Sequence, residues 1–131
     1  MLGLDTNVLV RFLVRDDAHQ FARARRLIER EEENAEDLLV SLIVLVETEW
    51  VLRSRYGLPK EEIIAAILLL LGTEGMGFED ELTIEEALFN WKESVADFAD
   101  CLIGARNRRL GCRGTATFDA NAARLPGFVG L

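Results

Sequence analysis

The sequence predicts an α/β protein built on a mostly parallel sheet, and three observations carry that expectation. Short apolar runs alternate with longer stretches of helical periodicity, strand-like runs near the two ends of the chain each finish on an aspartate, and half of the 131 residues are hydrophobic. That length and composition suit a single domain, residues 1–131, with room for a real core. Alternating strands and helices imply parallel pairing through right-handed crossovers, which brings the carboxyl ends of the strands to one edge.

Met1 to Leu4 read as the end of a buried strand. Thr6 or Asn7 is placed to cap the helix that carries Val8, Leu9 and Phe12. Asp5 then stands in the crevice outside the strand end, where open α/β sheets bind ligands; the alternative is that it only caps the helix. Asp16 and Asp17 precede a second helix with Phe21, Ala24, Leu27 and Ile28 on one face and Arg23, Arg26 and Arg30 on the other. The arginines, and the acidic run Glu29 to Glu33 after them, read as solvated helix surface.

Leu38 to Val40 suggest a second strand, with Ser41 placed to cap a helix reaching about Arg55. On that helix Glu49 has Arg53 four residues on and fits an exposed ion pair. Glu47 has Val44, Trp50 and Val51 at the three- and four-residue spacings, so it is expected on an apolar face, where an unpaired acid is costly. Gly57 and Pro59 punctuate the start of the next helix, Ile63 to Leu71, which is apolar almost all round and so is expected to be buried or to pack on a partner. Glycines 72, 75 and 77 mark a loop, and the acidic stretch between Phe78 and Leu82 is a candidate third strand. Thr83 with Glu86 is a capping-box pattern opening a helix with Ala87, Leu88 and Trp91.

Asp97 and Asp100 lie on one face of a following helix, with Phe98, Leu102 and Ala105 opposite, and Arg106, Arg108 and Arg109 crowd its end ahead of Gly111. Cys112 to Phe118 read as a strand, and Asp119 arrives at its end as Asp5 does at the end of the first. A short helix and Leu125 to Val129 follow.

The formal charge of -8 argues against a protein that holds nucleic acid by its overall field, but not against an enzyme whose grouped carboxylates are neutralised by cations. All but two of the 15 basic residues are arginine, the better fork for phosphates. Cys101 and Cys112, with His19 the one histidine, fit neither a disulfide framework nor a structural zinc site. Asp5 and Arg11 interrupt the apolar start of the chain, no cleavage site follows, and no run approaches the ~20 apolar residues of a membrane span, so a cytoplasmic protein is expected.

Asp5, Glu47, Asp100 and Asp119 thus stand at strand ends or on helices that follow strands. Two like charges ~4 Å apart repel by about 4 kcal/mol at an effective dielectric near 20, so such a cluster needs protons or cations. Oxygen ligands without His or Cys select Mg2+ or Mn2+, and carboxylates around such ions suit phosphoryl chemistry.

Leu4-Asp5-Thr6-Asn7-Val8-Leu9, Val46-Glu47, Asp97-Phe98-Ala99-Asp100-Cys101-Leu102-Ile103 and Thr117-Phe118-Asp119, in that order, resemble the PIN domain, specifically the VapC-type toxins of toxin-antitoxin pairs. The resemblance runs the full length of the chain. It implies a three-layer α/β/α fold with a central, mostly parallel sheet and a Mg2+- or Mn2+-dependent endoribonuclease. By position, Asp5, Glu47, Asp100 and Asp119 match the family's acidic quartet as catalytic metal ligands, and Thr117 matches its small hydroxyl residue. Asn7, Asp97 and Thr117 would orient ligands or waters around them. Arg11 and Arg15 either meet RNA phosphates or are plain surface residues. Cys101, where the family commonly has alanine, reads as core. The resemblance further implies an RNA substrate, a cognate antitoxin, a homodimer and no membrane. The competing enzyme class is a haloacid-dehalogenase-like phosphatase, which wants a second aspartate where Asn7 stands; the competing non-enzyme is a silent PIN-like scaffold.

Overall fold

Leu38, Leu39 and Val40 form the middle strand of a three-stranded sheet, and the N-terminal part of the molecule is arranged around it. The structure, a computed structural model, describes all 131 residues and divides into two compact units, Met1–Glu79 and Asp80–Leu131. In the first, β1 (Leu2–Gly3), β2 (Leu38–Val40) and β3 (Met76–Phe78) lie in the order β1-β2-β3, every pair parallel, with Leu2 opposite Leu38 and Leu38 opposite Met76. The connections are helical: α1 (Thr6–Leu13) and α2 (Ala18–Glu33) join β1 to β2, and α3 (Leu42–Ser54) and α4 (Lys60–Leu71) join β2 to β3. Leu9, Leu38, Val40, Leu45, Leu52, Ile63, Ile67 and Leu70 are fully buried and make the core of this unit.

Local chemistry sets the boundaries of these helices. Asp17 caps α2, its Oδ1 accepting the backbone N–H groups of His19 and Gln20, and Ser41 caps α3 by accepting from Val44. Gly57, at φ 62°, adopts the left-handed conformation just past α3 that a residue with a Cβ resists. α1 packs on both α2 and α3, with the Phe12 and Phe21 rings stacked 6.3 Å apart.

In the second unit, α5 (Glu81–Lys92) packs against α6 (Phe98–Arg109), with Trp91 and Phe98 in tilted ring contact at 5.1 Å. β4 (Thr115–Thr117) and β5 (Phe128–Gly130) form a second parallel pair, with Thr115 opposite Phe128, and a 3-10 turn, Ala122–Arg124, lies between them in sequence. The Phe128 ring sits so close over Gly104 of α6 that a Cβ at 104 would collide with it. No helix is long and apolar enough to cross a membrane.

The expected α/β class with parallel pairing is what the structure has, but five local expectations change. The cap of α1 is Asp5, as the alternative reading had it, rather than Thr6 or Asn7. The first strand is exposed at Leu2 and Gly3, and burial starts at Leu4. The third strand is Met76–Phe78, upstream of the acidic stretch, and includes Gly77; a side chain there would press on the Leu38 carbonyl at 3.2 Å, so the residue that read as loop is what lets β3 lie close to β2. α5 is capped by Asp80, whose Oδ1 accepts the Thr83 N–H and whose Oδ2 accepts the Thr83 hydroxyl, while Thr83 itself is buried in the helix. The last strand, Phe128–Gly130, follows the Pro126-Gly127 turn that masked it.

Candidate active site

Asp5 follows β1 directly. Its Oδ1 accepts the Thr6 N–H at 2.7 Å, so one oxygen is fixed by the start of α1 while the exposed carboxylate keeps Oδ2 for another partner. Asn7 follows in the first turn of α1 with its amide exposed. Between them the Thr6 hydroxyl is buried without a hydrogen-bond partner, a cost of roughly 1–3 kcal/mol for a folded chain. The sequence offers Thr6 only as a cap, because a buried unpaired hydroxyl has no signature in sequence.

The two glutamates of α3 exchange their expected places. Glu49 is the buried one, 4% exposed, and its Oε1 accepts from Arg53 Nε at 3.1 Å. Glu47 is exposed, without a hydrogen bond or ion pair, on a face shared with the exposed Ile43 and Trp50. Val44, Trp50 and Val51, the apolar neighbours at its three- and four-residue spacings, are themselves in contact with solvent and do not place Glu47 against the core. Arg11 donates to Asp16 at 2.8 Å and to the Tyr56 hydroxyl at 3.0 Å, and the Arg15 guanidinium lies over the Phe21 ring, 4.6 Å from its centroid.

In the second unit Asp97 and Asp119 lie near enough to Asp100 for their charges to act on it. Asp97 caps α6 without using its side chain, and Asp100 stands one turn on, half-buried and without a hydrogen bond. Asp119 follows β4; its N–H donates to the Thr117 hydroxyl at 3.0 Å and its Oδ1 accepts the Ala122 N–H at 2.8 Å. Burial, then the charge of Asp119, then that of Asp97, push the Asp100 carboxyl above its ordinary range. No cation of this unit relieves the group. Arg106 is held by Asp80 at 3.0 Å, and Arg108 and Arg109 are both held by Glu86.

Asp5, Glu47, Asn7, Arg11 and Arg15 thus belong to the first unit, and Asp97, Asp100, Thr117 and Asp119 to the second. Within neither unit do three His, Cys, Asp or Glu side chains form a group able to hold a metal ion. Cys101 is buried, as core packing requires.

A family model described as the PIN domain matches residues 3–127, nearly the whole chain. The chain belongs to the PIN-domain family. The family expected from four short acidic motifs is the family found, and the phosphatase alternative falls with it. Among solved structures, the chain is similar to the crystal structure of Mycobacterium tuberculosis VapC20, described as a Sarcin-Ricin loop cleaving toxin. That chain is 23% identical, with 100% of this chain and 98% of that one covered at a TM-score of 0.45. No curated protein matches the chain.

The donor chemistry of this PIN domain suits a hard cation. Asp100 is crowded by two like charges, Asp5 keeps a free oxygen, Glu47 is unpaired, and every donor offered is a carboxylate oxygen. A divalent ion would turn the repulsion around Asp100 into attraction.

Proposed function

We propose that this PIN domain is a Mg2+- or Mn2+-dependent endoribonuclease, the toxin of a VapBC-type toxin-antitoxin module. The observation that carries the reading is the group Asp97, Asp100 and Asp119, in which burial and like charge raise Asp100 while every arginine of its own helix is committed elsewhere. Structural carboxylates are normally paired, so a crowded, unpaired one points to a ligand. A family model spanning residues 3–127 supports reading both units as one PIN domain, 1–131.

Asp5, Glu47 and Asp100 would hold the first cation, and Asp119 would complete that site or help to hold a second. When bound, such an ion supplies positive charge against the scissile phosphate and acidifies the attacking water. The chain's own residues do the positioning. The Thr6 N–H holds Asp5 through one oxygen, and the Ala122 N–H holds Asp119 in the same way. The Thr117 hydroxyl accepts the Asp119 N–H and so fixes the turn that presents that carboxylate, while Asn7 offers an exposed amide near Asp5 to orient water or phosphate. Asp97 tunes Asp100 by charge.

RNA is the proposed substrate, and a cognate antitoxin and a second copy of the chain are the proposed partners in the cytoplasm. Leu68 and Leu69, in the apolar C-terminal part of α4, are exposed, which suits a chain that is covered by a partner. The test is cleavage of a mixed RNA pool by antitoxin-free protein with Mg2+, with Mn2+ and with chelator, beside Asp5→Asn. Metal-dependent cutting that disappears in the variant is expected. A folded, inhibitor-free wild type that leaves RNA intact would return the chain to the scaffold class, and cutting that survives Asp5→Asn would mean the activity lies elsewhere.

A further inference from the structure

A groove of about 1000 Å3 runs between α1 and α2, wholly inside the first unit. Asn7 and Arg11 line its α1 side, and Arg23, Arg26 and Arg30 line its α2 side, at the three- and four-residue spacings that put them on one helix face. Their charges are not equivalent. Arg11 is matched by Asp16 and Arg30 by Glu31, neither acid lining the groove, while Glu29, which does line it, is matched from outside by Arg25 at 2.9 Å. Arg23 and Arg26 are exposed, one turn apart, with no hydrogen bond and no ion pair. In a chain of net charge -8, two free guanidinium groups side by side in a groove are not a general property of the surface.

The geometry points to this groove as the track for the sugar-phosphate backbone of a single RNA strand, with Arg23 and Arg26 each donating to a phosphate and Asn7 marking the end nearest Asp5. The inference rests on the ribonuclease reading and assigns the substrate's path within it. Guanidinium forks match phosphate oxygens in pairs, and a backbone track needs charge at regular intervals rather than deep apolar pockets. The groove has that character: its apolar lining is confined to Val8, Ala24 and Leu27, and a protein segment docking there would find little to bury. Glu33, the one groove acid without a partner, lies in the last turn of α2, two turns beyond Arg26.

The experiment is fluorescence anisotropy of a short, labelled, single-stranded RNA of mixed sequence in chelator, so that nothing is cut. It compares wild type, Arg23→Gln/Arg26→Gln and, as a control at an exposed arginine outside the groove, Arg55→Gln, across a salt series. Cleavage by each protein is measured separately with Mn2+, and thermal melting checks that each is folded. Losing two phosphate contacts lowers the slope of log affinity against log salt by about 1.4, which makes the affinity lost between about 50 and 200 mM salt roughly sevenfold smaller. Arg55→Gln should leave that slope as it is. An unchanged slope in the double variant, with wild type still binding and cutting RNA, overturns the track and leaves the ribonuclease standing. An equal effect of Arg55→Gln means a diffuse field and also overturns it. Retained RNA binding with loss of binding to an acidic polyglutamate peptide would make the groove a protein-docking site instead. A wild type that neither binds nor cuts RNA would overturn the ribonuclease reading and the track with it.

Discussion

The two ends of α6 carry opposite charges and have opposite fates. At its C-terminal end Arg106, Arg108 and Arg109 suit the helix dipole, and each is also matched to a carboxylate of α5 or its cap: Asp80 for the first, Glu86 for the other two. At its N-terminal end Asp97 and Asp100 also suit the dipole, yet they meet a third acid, Asp119, and no cation. One end neutralises its charge within the fold, and the other leaves it open. Charge neutralised inside the chain calls for no further partner; charge left crowded and unpaired is held for something the chain does not contain.

The largest effect that would break this contrast is catalytic. Asp100→Asn should reduce metal-dependent RNA cleavage by at least about 100-fold, the scale of loss expected when a metal site is disturbed, measured as kcat/KM. At the compensated end Asp80→Ala should leave cleavage in place and cost about 1–2 kcal/mol in denaturant unfolding, because it removes the cap of α5. A variant set in which Asp80→Ala also abolished cleavage at unchanged stability would erase the distinction between the two ends.

The same two residues should depend on pH with opposite signs. The hydrogen bond from the Thr83 hydroxyl, with smaller help from the Thr83 N–H and Arg106, holds Asp80 below the ordinary carboxylate range against the cost of burial. Its contribution is present above the unfolded-state pKa of an aspartate, near 3.9, and is lost as pH falls through the lower folded value. Asp100 is raised, so the folded metal-free protein binds a proton more readily than the unfolded chain, and stability falls as pH rises from the ordinary value through the raised one. Asp100→Asn should therefore raise the melting temperature of metal-free protein at neutral pH, with the gain vanishing near pH 3. The smallest expected effect is that of Glu86→Gln, under about 1 kcal/mol, since its two arginine partners are half-exposed.

Much of this was legible in the sequence, for identifiable reasons. Asp5 and Asp119 announce themselves because a strand that ends on an acid is visible as an apolar run followed by Asp, and Asp97 and Asp100 because a three-residue spacing is a helix face. The alternation that predicted parallel pairing is realised in both sheets. Glu47 and Glu49 were exchanged because α3 begins Leu42-Ile43-Val44-Leu45-Val46, apolar on every side, so periodicity gives either glutamate an apolar neighbour and cannot name the buried face. Asp80 and Thr83 are both good caps, and the choice between them depends on Thr83 being buried, a tertiary fact. The groove arginines read as solvated surface because exposure is all that a helix pattern reports; that Arg25 is paired while Arg23 and Arg26 are not depends on where Glu29 points.

The central claim is that the unpaired carboxylates exist to hold a divalent cation. Isothermal titration of metal-free protein with Mn2+ tests it most directly, comparing wild type with Asp100→Asn and Asp80→Ala at neutral pH. The account predicts saturable binding by wild type and Asp80→Ala and its loss in Asp100→Asn. Equal Mn2+ binding by wild type and Asp100→Asn, or no binding by a folded wild type, would contradict it.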